Sequence, residues 1–283
     1  MYNLRVGVHI SIAGSIDRSV ERALKIGCNT FQLFTRNPRG WSFSEIPEEV
    51  MRSFKERLSK VDIYPVVDHM PYLPNLATPN DEVYKKSVET LKAELKRCSA
   101  LGIPYLVTHL GSHLGSGEEK GCERLVSALK SALESGPNCM ILLENTSGQK
   151  NSMGTTFEDI RAIMDKLGDS ERVGFCFDTC HAFAGGYDLK TRIGEVLDEL
   201  DRIIGLERLK VVHLNDSKGD LGSHLDRHEH IGLGKIGEDG FRLILSDKRI
   251  RSLPLIMETP VDSRRDDRGN ILKVYELAGL RAP

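Results

Sequence analysis

The sequence lacks several features that usually narrow function. Its six cysteines include no CxxC pair, its longest aliphatic-type run is CMILL at 139–143, and it has no low-complexity segment. Several of the lone cysteines (Cys28, Cys98, Cys122, Cys139, Cys176, Cys180) sit inside apolar runs, so they read as reduced, packed thiols of an intracellular protein rather than as a disulfide framework. A five-residue run is far too short to cross a membrane. The opening MYNLRVGVHI runs straight into an apolar segment without a cleavage site, so the expectation is a cytoplasmic chain with no membrane partner. Positive charge is also scarce: 39 basic residues meet 41 acidic ones, for a formal charge of −2. Nucleic-acid binders are usually more basic, so a DNA partner requires positive charge that is local or carried by metal. Three bound divalent ions would bring the total to about +4.

What is present is ordinary in amount and regular in order. Apolar residues make up 40% and charged residues 28% of the 283, as in soluble globular domains. Eight apolar runs punctuate the chain: RVGVHI (5–10), TFQLF (30–34), IYPVVDH (63–69), PYLVTHL (104–110), CMILLEN (139–145), VGFCFDT (173–179), LKVVHLN (209–215) and LPLIMET (253–259). Continuous apolar runs of this length read as strands covered on both faces. The segments between them are helical in period. In 81–102, Tyr84, Val88, Leu91, Leu95 and Cys98 recur three and four apart, and Gly102 supplies a stop. In 15–27, Ser15 is the expected cap, Ile16, Val20, Ala23 and Leu24 the expected apolar face, and Gly27 the end. Eight such units of about 35 residues predict an α/β chain, a single (β/α)8 TIM barrel over residues 1–283. An open doubly wound sheet is the alternative, but the first strand is not followed by a glycine-rich phosphate turn.

The ends of seven runs carry His9, His69, His109, Glu144, Asp178, His213 and Glu258; the second run alone ends without such a residue. From His69 onward the separations are 40, 35, 34, 35 and 45, following the repeat of the unit. In a barrel the C-terminal strand ends open onto one face, so residues far apart in sequence converge there. Each alone has a bland reading: a histidine in a hydrogen bond, or an aspartate such as Asp178 capping the next helix. Crowded together, however, their carboxylates repel unless cations hold them. His181 lies three residues after Asp178, and HLDRHEHIGLG (224–234) adds Asp226 and His228 at the two-residue spacing that sends extended side chains the same way. Nine nitrogen and carboxylate ligands, His69, His109, Glu144, Asp178, His181, His213, Asp226, His228 and Glu258, suit Zn2+, with Mn2+ or Fe2+ as alternatives at a site. Shared among four-coordinate ions, they fit three better than one. Cys180, within FCFDTC, reads as packed. A one- or two-metal sugar isomerase of the same barrel type is the rival function, and metal storage the weakest.

These residues lie in motifs that resemble the endonuclease IV family along essentially the whole chain: HISIAGS, FTRNPRGW, DHMPYLPNLA, THLGSH, LLENTSGQ, GFCFDTCHAFAGGYD, VVHLNDSKGDLGSHLDRHEHIGLG and METP. The family's HxSxAGG start reads HISIAGS here, with Ser15 in place of the second glycine. The resemblance implies a zinc-dependent nuclease. It would cleave 5′ to abasic sites in double-stranded DNA, leaving a 3′-hydroxyl and a 5′-deoxyribose phosphate, and would also trim blocked 3′ ends. It implies that His69 and His109 hold one ion, with Glu144 bridging to a second held by Asp178, His213 and Glu258. His181, Asp226 and His228 would hold the third. Glu144 and Glu258 would be the catalytic carboxylates, and Arg39, Tyr72 and Leu73 would enter the gap left by the missing base. Arg227, between two ligands, is placed to meet a phosphate; Arg36, Lys150, Arg264 and Arg265 are expected on the same basic face. His230 is expected to orient a neighbour, and His224 to lie at the surface. Nothing in the pattern marks a large self-complementary apolar face, so a monomer is expected.

Overall fold

Every one of the eight apolar runs forms a strand. The computed structural model describes residues 4–42, 44–135, 139–168 and 170–282, so the first three residues of the opening segment lie outside the described residues. The strands are β1 (Arg5–Val8), β2 (Phe31–Leu33), β3 (Val66–His69), β4 (Tyr105–Thr108), β5 (Met140–Glu144), β6 (Val173–Asp178) and β7 (Leu209–His213). After a short antiparallel pair, β8 (Asp216–Ser217) and β9 (His228–Glu229), comes β10 (Pro254–Met257). The connecting helices are α1 (Arg18–Ile26), α2 (Glu48–Ser59), α3 (Asp81–Leu101), α4 (Glu118–Ser135), α5 (Phe157–Lys166), α6 (Thr179–Gly185), α7 (Ile193–Ile203), α8 (Gly237–Ser246), α9 (Lys248–Arg251) and α10 (Asp267–Leu277). All neighbouring barrel strands are parallel, in the order β1-β10-β7-β6-β5-β4-β3-β2. The ring closes between β1 and β2 through a parallel bridge from His9 to Gln32, where the Ile10 N–H donates to the Gln32 carbonyl at 2.7 Å. This is the (β/α)8 barrel that the alternation of runs predicts.

The helix signals act as their chemistry requires. The Asn80 side chain accepts from the Val83 N–H at 3.0 Å, Asp81 and Glu82 meet the positive end of α3, and Gly102 ends it in the left-handed region at φ 74°. Thr156 and Asp159 form a reciprocal capping box on α5. The start of α1 differs from expectation. Helix α1 begins at Arg18, the Ser15 hydroxyl donates to the Asp17 carboxylate instead of capping a backbone N–H, and Leu24 is exposed while Val20 and Ala23 are buried. Asp17, drawn also to Ser53 and Arg57 on α2, competes for the hydroxyl that would have capped.

Strand alternation separates two environments. Leu106, Ile141, Leu143, Phe175, Phe177, Val212, Leu255 and Met257 join the main core with the apolar faces of the helices. Val67, Val107, Leu142, Cys176, Val211 and Ile256 form a separate buried cluster inside the barrel, one from each of six strands. Two positions beyond each of these six stand His69, His109, Glu144, Asp178, His213 and Glu258. Because the strand period is two, they project into the same interior, above an apolar floor.

Closure of the ring depends on Gly7. A Cβ there would lie 1.7 Å from the Thr30 carbonyl oxygen and 2.6 Å from its carbon, and backbone atoms cannot rotate away as a side-chain tip can. Gly7→Ala should therefore part the β1–β2 seam and cost about 1–3 kcal/mol, the usual cost of overpacking, or more. Thermal unfolding checks this, and a midpoint equal to that of the parent chain would show that the seam widens freely.

Candidate metal centre

The C-terminal mouth of the barrel holds a cavity of about 430 Å3 lined by His9, Phe34, His69, Tyr72, His109, His181, Asp226, His228, Met257 and Glu258, with Thr259 and Asp267. Glu144 stands at its base, fully buried. One carboxylate oxygen, Oε2, lies 3.0 Å from His109 Nε2 and 3.3 Å from His69 Nε2. The other, Oε1, lies 2.8 Å from His213 Nδ1. His213 Nδ1 in turn stands 3.6 Å from Glu258 Oε2 and 4.0 Å from Asp178 Oδ2. His228 Nε2 is 3.7 Å from Asp178 Oδ2 and 3.8 Å from Asp226 Oδ1, and His181 Nε2 is 3.2 Å from Asp226 Oδ1. Among the described residues three groups have donor atoms close enough to hold an ion: His69, His109 and Glu144; Glu144, Asp178, His213 and Glu258; and Asp178, His181 and His228.

All nine ligand-type residues read from the sequence thus converge, with one difference in grouping. Asp178 has a donor atom that groups with those of His181 and His228, and Asp226 stands beside them at the rim, partly exposed, with Oδ1 3.2 Å from His181 Nε2 and 3.8 Å from His228 Nε2. Asp178 also carries out the bland role considered for it. Its Oδ1 accepts the His181 N–H at 2.7 Å and caps α6, while Oδ2 accepts from the Asn215 amide at 2.8 Å. Capping and clustering are compatible because a carboxylate has two oxygens with several lone pairs.

The donor set fits divalent cations on the orientation of the rings. Nδ1 of His69 meets the Met70 carbonyl at 2.7 Å, Nδ1 of His181 the Asn145 carbonyl at 2.9 Å, and Nδ1 of His228 the Glu258 carbonyl at 3.2 Å. A carbonyl only accepts, so each Nδ1 carries the proton and each Nε2 is left to face the cluster. His228 Nε2 is buried without a hydrogen-bond partner. A buried, unpartnered nitrogen aimed at two carboxylates is where a cation belongs. Electrostatics agree. Burial alone would raise the carboxyls of Glu144 and Glu258, but imidazoles outweigh it: His213 and His109 hold Glu144 well below the usual range, and His213 and His69 bring Glu258 to about 2. Burial pushes His9 down to about 4 despite Glu258.

The hairpin β8–β9 delivers Asp226 and His228 to this mouth. Its register sets Asp216 against Glu229 and Ser217 against His228. The buried Asp216 carboxylate gathers the N–H groups of Gly232, Gly234 and Ile236 at 2.9–3.1 Å, so the HIGLG turn wraps around it. Gly234 is required there, because a Cβ would lie 2.5 Å from Asp216 Oδ1 and from the Ser217 carbonyl. His224 is at the surface, as expected, with Nδ1 on the Ser147 carbonyl at 2.8 Å. His230 is fully buried and touches no ligand directly; it bonds Asp262 and Asn270 at 3.0 Å each, and Asn270 reaches Thr259, next to Glu258. The Cys180 thiol is fully buried against the Arg227 carbonyl, and burial pushes it up, as befits a packed residue.

The basic rim is smaller than the sequence implied. Arg39, Lys150 and Arg227 are exposed. Arg36, by contrast, is buried and paired with Glu94 at 2.8 Å on the helix side of the barrel. Arg264 is bound to Glu229 and Asp262, and Arg265 to the Ile231 carbonyl. Tyr72 and Leu73 project from the loop after β3, exposed by 66% and 38%, the largest apolar surface beside the cavity on that loop. The Tyr72 ring leans on Phe34 with centroids 5.1 Å apart, and its N–H reaches the Pro38 carbonyl at 3.3 Å, which ties it to the loop of Arg39. The residue that sequence reasoning missed is Gln32, on the one strand thought to end without a site residue. It is fully buried and bonded to His9, His213 and Glu258. The signal was a polar amide in the middle of an apolar run.

Known proteins match both the sequence and the fold. The profile of the family described as xylose isomerase-like TIM barrel matches residues 20–276. A protein of Methanoculleus marisnigri described as probable endonuclease 4 is 62% identical over 278 residues, spanning 97% of this chain and 99% of that protein. A probable endonuclease 4 of Nitrosopumilus maritimus is 50% identical over 279 residues, 97% of this chain and 100% of that one. The crystal structure of endonuclease IV from Thermus thermophilus superposes with a TM-score of 0.87 at 36% identity, covering 97% of this chain and 99% of that chain. A 3-keto-D-glucoside 4-epimerase from E. coli superposes with a TM-score of 0.69 at 12% identity, over 98% and 100% of the two chains, and shares the fold alone. On identity, coverage and fold together, the chain belongs to the endonuclease IV family.

Proposed function

We propose that this chain, as one barrel unit, is a cytoplasmic DNA-repair endonuclease. It hydrolyses the phosphodiester bond 5′ to abasic sites in duplex DNA, leaving a 3′-hydroxyl and a 5′-deoxyribose phosphate, and trims blocked 3′ ends at the same centre. The observation that carries this reading is Glu144, whose two buried oxygens face two different imidazole groups, as a bridging carboxylate must. Among the described residues no helix is long and apolar enough to cross a membrane. The resident metal is proposed to be zinc, three ions per chain. His69 and His109 would hold one, with Glu144 shared; Asp178, His213 and Glu258 the second; and His181, Asp226 and His228 the third. Such ions lower the pKa of bound water and neutralise charge on a phosphate, which are the two demands of phosphodiester hydrolysis.

The chain's own groups supply position. Glu144 and Glu258, ionised at neutral pH, would accept the hydrogen bonds of the attacking water and orient it. Arg227 would meet a backbone phosphate with a forked guanidinium. An abasic nucleotide lacks stacking and pairing and leaves the helix at low cost. Tyr72, Leu73 and Arg39 would fill the space it vacates.

A duplex bearing one tetrahydrofuran abasic analogue tests the reaction, because the analogue reports hydrolysis without β-elimination. Zinc-loaded protein is expected to cut on the 5′ side, and Glu144→Gln to lose about 100-fold or more of that rate, the scale of a lost acid–base group. A folded, metal-loaded protein that leaves the duplex intact would overturn the proposal. Replacing both Tyr72 and Leu73 by Ala should remove about 1–3 kcal/mol of stacking-type contact and weaken binding of the abasic duplex by about 5- to 150-fold, with metal content unchanged. Equal affinity of both proteins for that duplex would remove these residues from the interface.

Metal binding should depend on pH. In the metal-free chain burial alone would lower His181, but Asp178, Asp226 and Glu144 push it up to about 10. That imidazole is protonated below this value, and metal at Nε2 must displace the proton. Binding is therefore expected to release protons and to tighten as pH rises across the neutral range. Calorimetry of zinc binding in two buffers of different ionisation enthalpy checks this; an apparent heat independent of buffer would contradict it.

A further inference from the structure

Gln32 lies on β2, fully buried, where an apolar barrel residue would satisfy packing. Its amide instead meets three residues of the site, two of which line the cavity. Nε2 is 2.7 Å from Glu258 Oε1 and 3.1 Å from His9 Nδ1, and Oε1 is 2.8 Å from His213 Nε2. The chemistry of Glu258 fixes the orientation of the amide. An ionised carboxylate only accepts, so the Gln32 nitrogen must face it and the oxygen must face His213. The oxygen only accepts, so His213 Nε2 must carry a proton. Its Nδ1 is then the nitrogen that faces Glu144, Asp178 and Glu258. This is the reverse of His69, His181 and His228, whose Nδ1 atoms are the ones held by carbonyls.

We propose that Gln32 is a positioning residue of the metal centre, which selects the inverted ring form of His213 and holds Glu258 beside it. The proposal rests on the metal-centre reading above. It explains why a buried amide, with two donors and an acceptor to satisfy, stands among apolar neighbours on a barrel strand: each of its polar atoms has a residue of the site as partner. A side chain that only filled space could be exchanged for Met, similar in length and unbranched, without consequence for the metals.

The test uses the full chain, stripped with a chelator and reloaded with zinc, and compares the parent protein with Gln32→Met. Competition against a chromophoric chelator measures affinity, and 15N NMR of ring-labelled histidine reads which nitrogen of each imidazole carries hydrogen. The parent protein is expected to show His213 protonated at Nε2 and metal-bound at Nδ1, the opposite of His69, His181 and His228. Gln32→Met is expected to keep the fold and to lose about 10–100-fold in affinity for one class of zinc, as loss of a partner to a ligand does. Its His213 signal should no longer be locked in that form. If Gln32→Met does not fold, the parent spectrum still decides, because His213 carrying its proton on Nδ1 overturns the proposal. Equal affinity with an unchanged His213 signal in Gln32→Met overturns it while leaving the metal centre standing. Failure of the parent chain to bind zinc removes the metal centre itself.

Discussion

A carboxylate that has been taken wholly out of water needs hydrogen-bond donors or a cation beside it, and imidazole nitrogens face Glu144 on both of its oxygens. His213, His109 and His69 surround it within 3.3 Å, and the charge it keeps is what their rings are arranged to answer. That arrangement requires the barrel. Six strands each spend one inward position on an apolar floor residue and the next inward position on a ligand-type residue, so the cluster is dry below and open above. The seam at Gly7 closes the ring that holds them, and the hairpin folded around Asp216 brings Asp226 and His228 over the top. No single one of these groups would be stable, or useful, in isolation.

Much of this was legible in the sequence, because its strongest signals are periodic. Strands buried on both faces appear as unbroken apolar runs, and a ligand at each run's end recurs with the βα repeat. The convergence of His69, His109, Glu144, Asp178, His213 and Glu258 therefore follows from topology alone. Less was visible where a residue's neighbours come from other elements. Gln32 looked like an interruption in TFQLF until its three partners, from β1, β7 and the end of β10, were in place. Arg36 reads as a loop cation but is drawn inside by Glu94 of α3, a partner 58 positions away. Ser15 lost the capping role that its position favours because Asp17, held against α2, takes its hydroxyl. Local propensity proposes such roles, and tertiary contact decides among them.

The charge pattern bears on how a nearly neutral chain would engage a polyanion. Of the six arginines and lysines that sequence placed on the mouth, Arg36 is consumed by the core, and Arg264 and Arg265 by hydrogen bonds and ion pairs within their own loops. Of those six, Arg39, Lys150 and Arg227 remain exposed. Bound ions would add positive charge at the mouth itself, and attraction to DNA would weaken when they are removed. Charge placed at the mouth would suit the proposed recognition of a local defect more than contact with the backbone at large.

The double use of Asp178 bears on how variants of this centre can be interpreted. One of its oxygens starts helix α6 and the other belongs to the cluster, so a substitution there alters the local fold and the ligand set together. Lost activity in an Asp178 variant could not be divided between the two. Glu144 is different: among the described residues its oxygens meet imidazoles and no backbone donor. Two carboxylates a few ångströms apart thus differ as experimental handles, one entangled with architecture and the other nearly free of it.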